Sequence, residues 1–249
     1  MGACSIPVRA LVCSSLVLFA AACSGADSRS TAAFTADGQV IAMGGGEGGP
    51  SNACFSCHGL DGLGDGVSVP RLAGLDAGYL QKQLEDYADR LRDDATMYEA
   101  ARWLDDDDRR AVAAWYAALP APSRTAPAAP PPRVWLRGRP EAGVPACAVC
   151  HGAEGQGVGP GNPAVAGQPA AYTLDQLRRW KTGERRNDPR NVMSDAVAGL
   201  TETEMRAIAA WLETAPIAPP PASDAATASA SAAAAARPEA SRGVRRPGR

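Results

Sequence analysis

The sequence predicts an all-α protein made of two tandem small domains joined by a Pro-rich linker. The chain repeats itself at a shift of 93 residues: Cys54-Phe55-Ser56-Cys57-His58-Gly59 recurs as Cys147-Ala148-Val149-Cys150-His151-Gly152. The legible hydrophobic period is helical. Leu104, Val112, Trp115 and Leu119 fall on one face, as do Met205, Ile208 and Leu212, and no segment alternates like a strand. Between the copies lie Pro120, Pro122, Pro127 and Pro130-Pro131-Pro132, the composition of a semi-rigid extended connection.

Taken in order, residues 1–22 read as an export signal. Arg9 precedes a run of apolar and small residues from Ala10 to Ala22, too short to span a bilayer comfortably. Two cleavage readings stand. A general signal peptidase cuts near Ala20-Ala21-Ala22, or Cys23 becomes the lipidated first residue of a lipoprotein, since Ala-Ala-Cys resembles the end of a lipobox. Cys4 and Cys13 leave with the leader. Cys23 is then the odd thiol of an exported chain, which lipid attachment explains; the alternative is that it leaves too. Residues 23–37 are a flexible tether. The first domain spans 38–119, the linker 120–133 and the second domain 134–215. Residues 216–249 are Pro-, Ala- and Arg-rich with no apolar face, and read as a disordered tail.

Within the domains the glycines repeat after each His: Gly62, Gly64 and Gly66 match Gly155, Gly157 and Gly159, and these stretches are loops. Pro70, Ala73-Gly74, Tyr79 and Gln83-Leu84 match Pro163, Ala166-Gly167, Tyr172 and Gln176-Leu177. Helices are expected over 77–90 and 170–182. The second copy then carries three extra residues, after which Met97, Leu104 and Trp115 align with Met193, Leu200 and Trp211. Thr201 and Glu204 form a capping box, and Asp105–Asp108 put acids on the first turn of the matching helix. Domains of about eighty residues are marginal without a staple.

The formal charge is −2, which argues against a nucleic-acid binder. The chain has 2 histidines, so any site that needs one uses His58 or His151. Cys-x-x-Cys-His is the attachment signature of c-type haem. Cys54 with Cys57, and Cys147 with Cys150, sit three positions apart on a short helical turn, able to reach the two vinyl groups of one porphyrin. The adjacent His58 or His151 then faces the iron. Three other readings compete: a thioredoxin-like dithiol, which wants a βαβ context; a zinc site, for which Cys-Cys-His supplies three of four ligands; and a disulfide, which leaves the His unexplained in both copies.

With both histidines used, the sixth iron ligand falls to methionine, the usual alternative, which raises the reduction potential. Of 5 methionines, Met1 leaves with the leader, Met43 reads as packing in a helix without a counterpart at Leu136, and Met205 reads as core. Met97 and Met193 align and are the expected ligands; gap-filling packing is their alternative. The backbone carbonyls of Pro70 and Pro163 are placed to hold the proximal imidazole N–H. Arg92 and Arg185 pair with haem propionates or are solvated surface arginines.

The pattern resembles a dihaem cytochrome c of the cytochrome c4 type. The matching stretches are Cys-His-Gly-x-x-Gly-x-Gly, Pro-x-x-Ala-Gly, Tyr-x-x-x-Gln-Leu, the methionine and the short capped helix with Trp, with Gly183-Glu184-Arg185-Arg186-Asn187-Asp188 in the second copy, over about 38–215. The resemblance implies two tandem class I cytochrome c-like domains, two covalently bound haem c groups with His–Met iron, and periplasmic electron delivery, often towards a haem–copper oxidase. The expected partners are such an oxidase, a dehydrogenase or a quinol–cytochrome c reductase. The alternatives are a cytochrome subunit of a dehydrogenase or oxidase complex and, against Met97 and Met193, a haem peroxidase or sensor. One-electron transfer needs no acid, base or nucleophile, so no catalytic residue is expected. Residues 39–119 hold 7 Lys+Arg against 14 Asp+Glu, and residues 133–215 hold 10 against 9, so the two domains are expected to steer towards different partners.

Overall fold

The computed structural model describes residues 37–123, 129–159 and 161–217. The leader expected over 1–22, Cys23, the expected tether up to residue 36, and the expected tail over 216–249 from residue 218 onward lie outside the described residues. Among the described residues the regular structure is helical. Isolated β-bridges join Arg92 with Arg185 and Arg139 with Val144.

The first domain runs α1 (Gly38–Gly44), the single turn α2 (Phe55–His58), α3 (Ala77–Ala88), α4 (Ala95–Ala101) and α5 (Asp106–Ala118). Aspartates start most of them. Asp37, Asp76 and Asp94 accept the N–H of Gln39, Tyr79 and Met97, each satisfying a donor that a helix start leaves without an internal partner. At α5 the Asp run does more than complement the dipole. Asp105 accepts from the Asp108 N–H, and the Asp108 carboxylate takes the Asp105 N–H, a capping box made of acids alone. Helix α3 ends two residues short of the expected 90, because Arg90 turns into the left-handed region at φ 58°.

The second domain repeats the plan as α6 (Arg133–Arg137), α7 (Ala148–His151), α8 (Ala170–Thr182), α9 (Val192–Ala198) and α10 (Glu202–Thr214). Helix α8 has the expected bounds, and α10 carries the expected Thr201–Glu204 capping box. Glycine at position 183, φ 75°, stops α8 in the left-handed conformation that a C-cap favours.

Each core forms where the terminal helix crosses the others. In the first domain Val112 and Tyr116 of α5 pack with Ile41, Leu80 and Leu104. Tyr116, 3% exposed, takes the buried position, while Trp115 is half-buried. In the second domain Met205, Ile208 and Leu212 are buried with Trp211 and Leu200, so Met205 is core as expected. Each such side chain contributes about 1.5–3 kcal/mol on burial. The second domain reaches past the expected boundary at 215. Ile217 is buried against this core, at the place where Gly167 lacks a side chain, so the tail begins later than the composition suggested.

The domains share a packed seam. Ala164 of the second domain lies on the first-domain core, and Ala121 of the linker lies on the second-domain core. Lys82 Nζ donates to the Asn187 carbonyl at 2.9 Å, and Arg179 donates to the Asp93 carbonyl at 3.0 Å.

Candidate haem-attachment sites

The two single-turn helices α2 and α7 carry the two motifs with matching hydrogen bonds. His58 N–H bonds to the Cys54 carbonyl and His151 N–H to the Cys147 carbonyl, each at 2.9 Å, so one helical turn brings both cysteines and the His to one place. All four sulfurs are free thiols: Cys54, Cys147 and Cys150 are half-buried and Cys57 is exposed. Burial pushes the Cys54 and Cys147 thiols up to about 11. The disulfide reading thus finds no bond. The zinc reading finds no group of three or more potential ligands among the described residues, and the dithiol reading no parallel strands.

The loop after each His closes identically. Gly64 N–H donates to the His58 carbonyl at 2.9 Å, and Gly157 N–H to the His151 carbonyl at 2.8 Å. Gly64 sits at φ 76°, and a Cβ there would lie 2.2 Å from the Val69 carbonyl oxygen, so the repeat of this glycine is a packing requirement. These closures carry Pro70 and Pro163 to the imidazoles. The Nδ1 of His58 is 3.0 Å from the Pro70 carbonyl, and that of His151 is 3.0 Å from the Pro163 carbonyl. A carbonyl only accepts, so Nδ1 holds the proton and Nε2 keeps its lone pair. Burial holds both imidazoles below the usual histidine value, against the pull of those carbonyl bonds. Each is therefore a neutral, oriented Nε2 donor, the form a metal takes.

The methionines lie on corresponding elements. Met97 is half-buried on the first turn of α4, its N–H held by Asp94 at 3.0 Å. Met193, half-buried against the second-domain core, follows the turn Pro189–Asn191 that the extra residues create. Asp188 holds its N–H at 2.7 Å.

Arg92 and Arg185, equivalent under the repeat, are 4% and 7% exposed, which removes the solvated reading. They pair across the seam as an antiparallel bridge. Among the described residues neither guanidinium meets a carboxylate. The Gln83 side-chain carbonyl instead accepts from Arg92 at 2.8 Å, Arg185 at 3.1 Å and Asn187 at 3.0 Å, and the Gln176 carbonyl accepts from both arginines. Two buried cations crowding neutral acceptors fit a ligand that brings its own carboxylates, as haem propionates do. The residues present therefore fit covalently bound haem at both copies.

Several neighbours carried no clear sequence signal. Trp135 donates to the Gly152 and Ala153 carbonyls at 3.2 and 3.0 Å, with its ring centroid 6.3 Å from that of His151. The first domain has Ala42 there, and Tyr116 approaches His58 at 6.4 Å instead. Because the repeat breaks at these positions, it did not mark them. Gln83 and Gln176 were visible as repeated residues, but their role across the seam was not.

The cytochrome c family pattern matches residues 46–119 and 143–216. The chain is 40% identical over 184 residues to a thiosulfate dehydrogenase electron acceptor of Stutzerimonas stutzeri, covering 71% of this chain and 85% of that protein. The structure of reduced cytochrome c4 from Pseudomonas stutzeri aligns with a TM-score of 0.60 at 29% identity, over 65% of this chain and 93% of that one. A thiosulfate dehydrogenase from Marichromatium purpuratum aligns with a TM-score of 0.62 at 37% identity, over 76% of this chain and 43% of the other. With both halves matched and both motifs in place, this chain belongs to the cytochrome c family, as a two-domain dihaem electron-transfer protein of the cytochrome c4 type.

Proposed function

We propose that this protein is an exported electron carrier that receives single electrons from a thiosulfate-oxidising dehydrogenase and passes them to a terminal acceptor such as a haem–copper oxidase. Cys54 and Cys57, and Cys147 and Cys150, form the thioether links. His58 and His151 would hold the iron through Nε2, and Met97 and Met193 would supply its other protein ligands. Arg92 and Arg185 hold propionates at the seam. The bound haem supplies an iron that alternates between Fe(III) and Fe(II). The chain's own part is to keep each imidazole neutral and oriented through Pro70 or Pro163, to place the methionines with Asp94 and Asp188, and to exclude water with the two cores.

The observation that carries the redox reading is the duplicated His–Pro geometry beside paired free thiols. The donor reading is supported by the 40% identity to the relative described as the electron acceptor of a thiosulfate dehydrogenase. It joins the free-carrier and dehydrogenase-linked alternatives, since a carrier docked to a dehydrogenase serves as both. The leader expected over residues 1–22 supports a periplasmic place. Lipid on Cys23 would hold the carrier at a membrane, and among the described residues no helix is long and apolar enough to cross one.

Anaerobic mixing of the oxidised holoprotein with a thiosulfate dehydrogenase and thiosulfate tests this. Both haems should be reduced, far faster than with thiosulfate alone. A holoprotein that ascorbate reduces but the dehydrogenase does not would remove the donor and leave the haem assignment standing.

A further inference from the structure

The seam holds a charge that electron carriage, as described so far, does not use. Arg71 is 2% exposed. Its guanidinium donates to the Ala73 carbonyl and, at 3.0 Å, to the Ala166 carbonyl. These alanines are equivalents under the 93-residue repeat, so one arginine joins the same point of both loops that hold the imidazoles. Pro70 immediately precedes Arg71, and Pro163 lies three residues before Ala166. Gln168 clamps the arginine's backbone from the other domain. Its Oε1 accepts the Arg71 N–H and its Nε2 donates to the Arg71 carbonyl, both at 2.9 Å.

Among the described residues no carboxylate pairs with the Arg71 guanidinium, and its Nε has no partner. Burial pushes the guanidinium down to about 10, which leaves it charged at neutral pH. It also has no twin. The equivalent position is Ala164, packed on the first-domain core. A lone buried charge between neutral carbonyls is costly to keep for packing alone.

We infer that Arg71 tunes both redox centres together, as a fixed cation shared by the two proximal loops that favours the reduced form of each. The inference rests on the haem assignment above. Each one-electron reduction, with the electron supplied by the redox partner and no atom transferred, lowers the charge of a site by one. A cation nearby in a poorly polarisable, unscreened setting stabilises the less positive form. Arg71 acts through the loops and the field and is a positioning and tuning residue rather than a ligand.

Redox titration of the full holoprotein tests this with three variants. Arg71→Met should shift both Fe(III)/Fe(II) equilibria about tenfold or more towards Fe(III), about 59 mV for one electron. Arg71→Lys, which keeps the charge, should remain near the parent. Arg71→Gln, which keeps an N–H donor for the Ala73 and Ala166 carbonyls but no charge, should shift both centres in the direction of Arg71→Met; it also keeps the test open if Arg71→Met does not fold. Haem content and the near-infrared iron–methionine band are followed in parallel. If the parent lacks them, the haem assignment fails. If they persist and the variants' potentials match the parent's, or Lys shifts as far as Met, Arg71 is only a structural clasp and the inference is wrong.

Discussion

A histidine that binds metal through Nε2 must place its Nδ1 proton on an acceptor, and His58 and His151 do so on proline carbonyls at 3.0 Å. Proline suits this place because it lacks an N–H and presents its carbonyl from a stiff backbone. The backbone N–H groups of the candidate ligands Met97 and Met193 are held by Asp94 and Asp188. Replacing Met97 with Ala is expected to halve the near-infrared iron–methionine band and to shift one haem about tenfold or more towards Fe(III), while the other keeps its potential. Optical redox titration checks it; a full band would show that Met97 only packs. The candidate ligand set could be proposed from the sequence because residues of unusual type recur at fixed spacing. Arg71 and Trp135 could not, since their equivalents are Ala164 and Ala42 and a repeat marks only what it repeats.

At the scale of elements, the first copy adds a carboxylate clasp to the loop that both copies close alike, Val158 standing where the first copy has Asp65. In the first domain the Asp65 carboxylate gathers the N–H groups of Val67, Ser68 and Val69, each at 2.8 Å. The Val67 and Val69 bonds hold its pKa down at about 2. The folded value lies below the ordinary one, so the stabilisation is complete above about pH 4 and is lost as pH falls through about 2. Amide exchange at 67–69 should therefore quicken, relative to the rest of the domain, between those pH values, and Asp65→Asn should show weakened protection already at neutral pH. Equal protection in the variant would contradict the account. In the second domain Ile217 is the core residue that composition concealed, because a single apolar residue among prolines gives no period to read. Ile217→Ala is expected to cost about 2–5 kcal/mol, measured by denaturant unfolding; a loss under about 0.5 kcal/mol would show that the segment beyond α10 does not belong to the core. The start of α10 was legible where a capping box met a hydrophobic period. Helix α3 ended early because a left-handed Arg90, which no propensity favours, turns the chain there.

At the scale of the molecule, duplication places two equivalent arginines and two equivalent glutamines face to face, and a seam results. The sequence showed the duplication but not the seam, because which surfaces meet depends on a three-dimensional operation that no local pattern encodes. The two halves nevertheless differ in charge, −7 over 39–119 against +1 over 133–215, counted from 7 basic and 14 acidic residues against 10 and 9. Association of a basic redox partner with the first domain should slow as ionic strength rises from about 10 to 150 mM, over which the screening length shrinks from about 30 to 8 Å. Stopped-flow rates that do not change with salt would contradict that steering. The central claim, that one chain holds two haems each bound by a histidine and a methionine, is tested most directly by optical redox titration of the purified holoprotein through its near-infrared iron–methionine band. The account predicts intensity for two such haems per chain, both lost on reduction; intensity for one or none would contradict it.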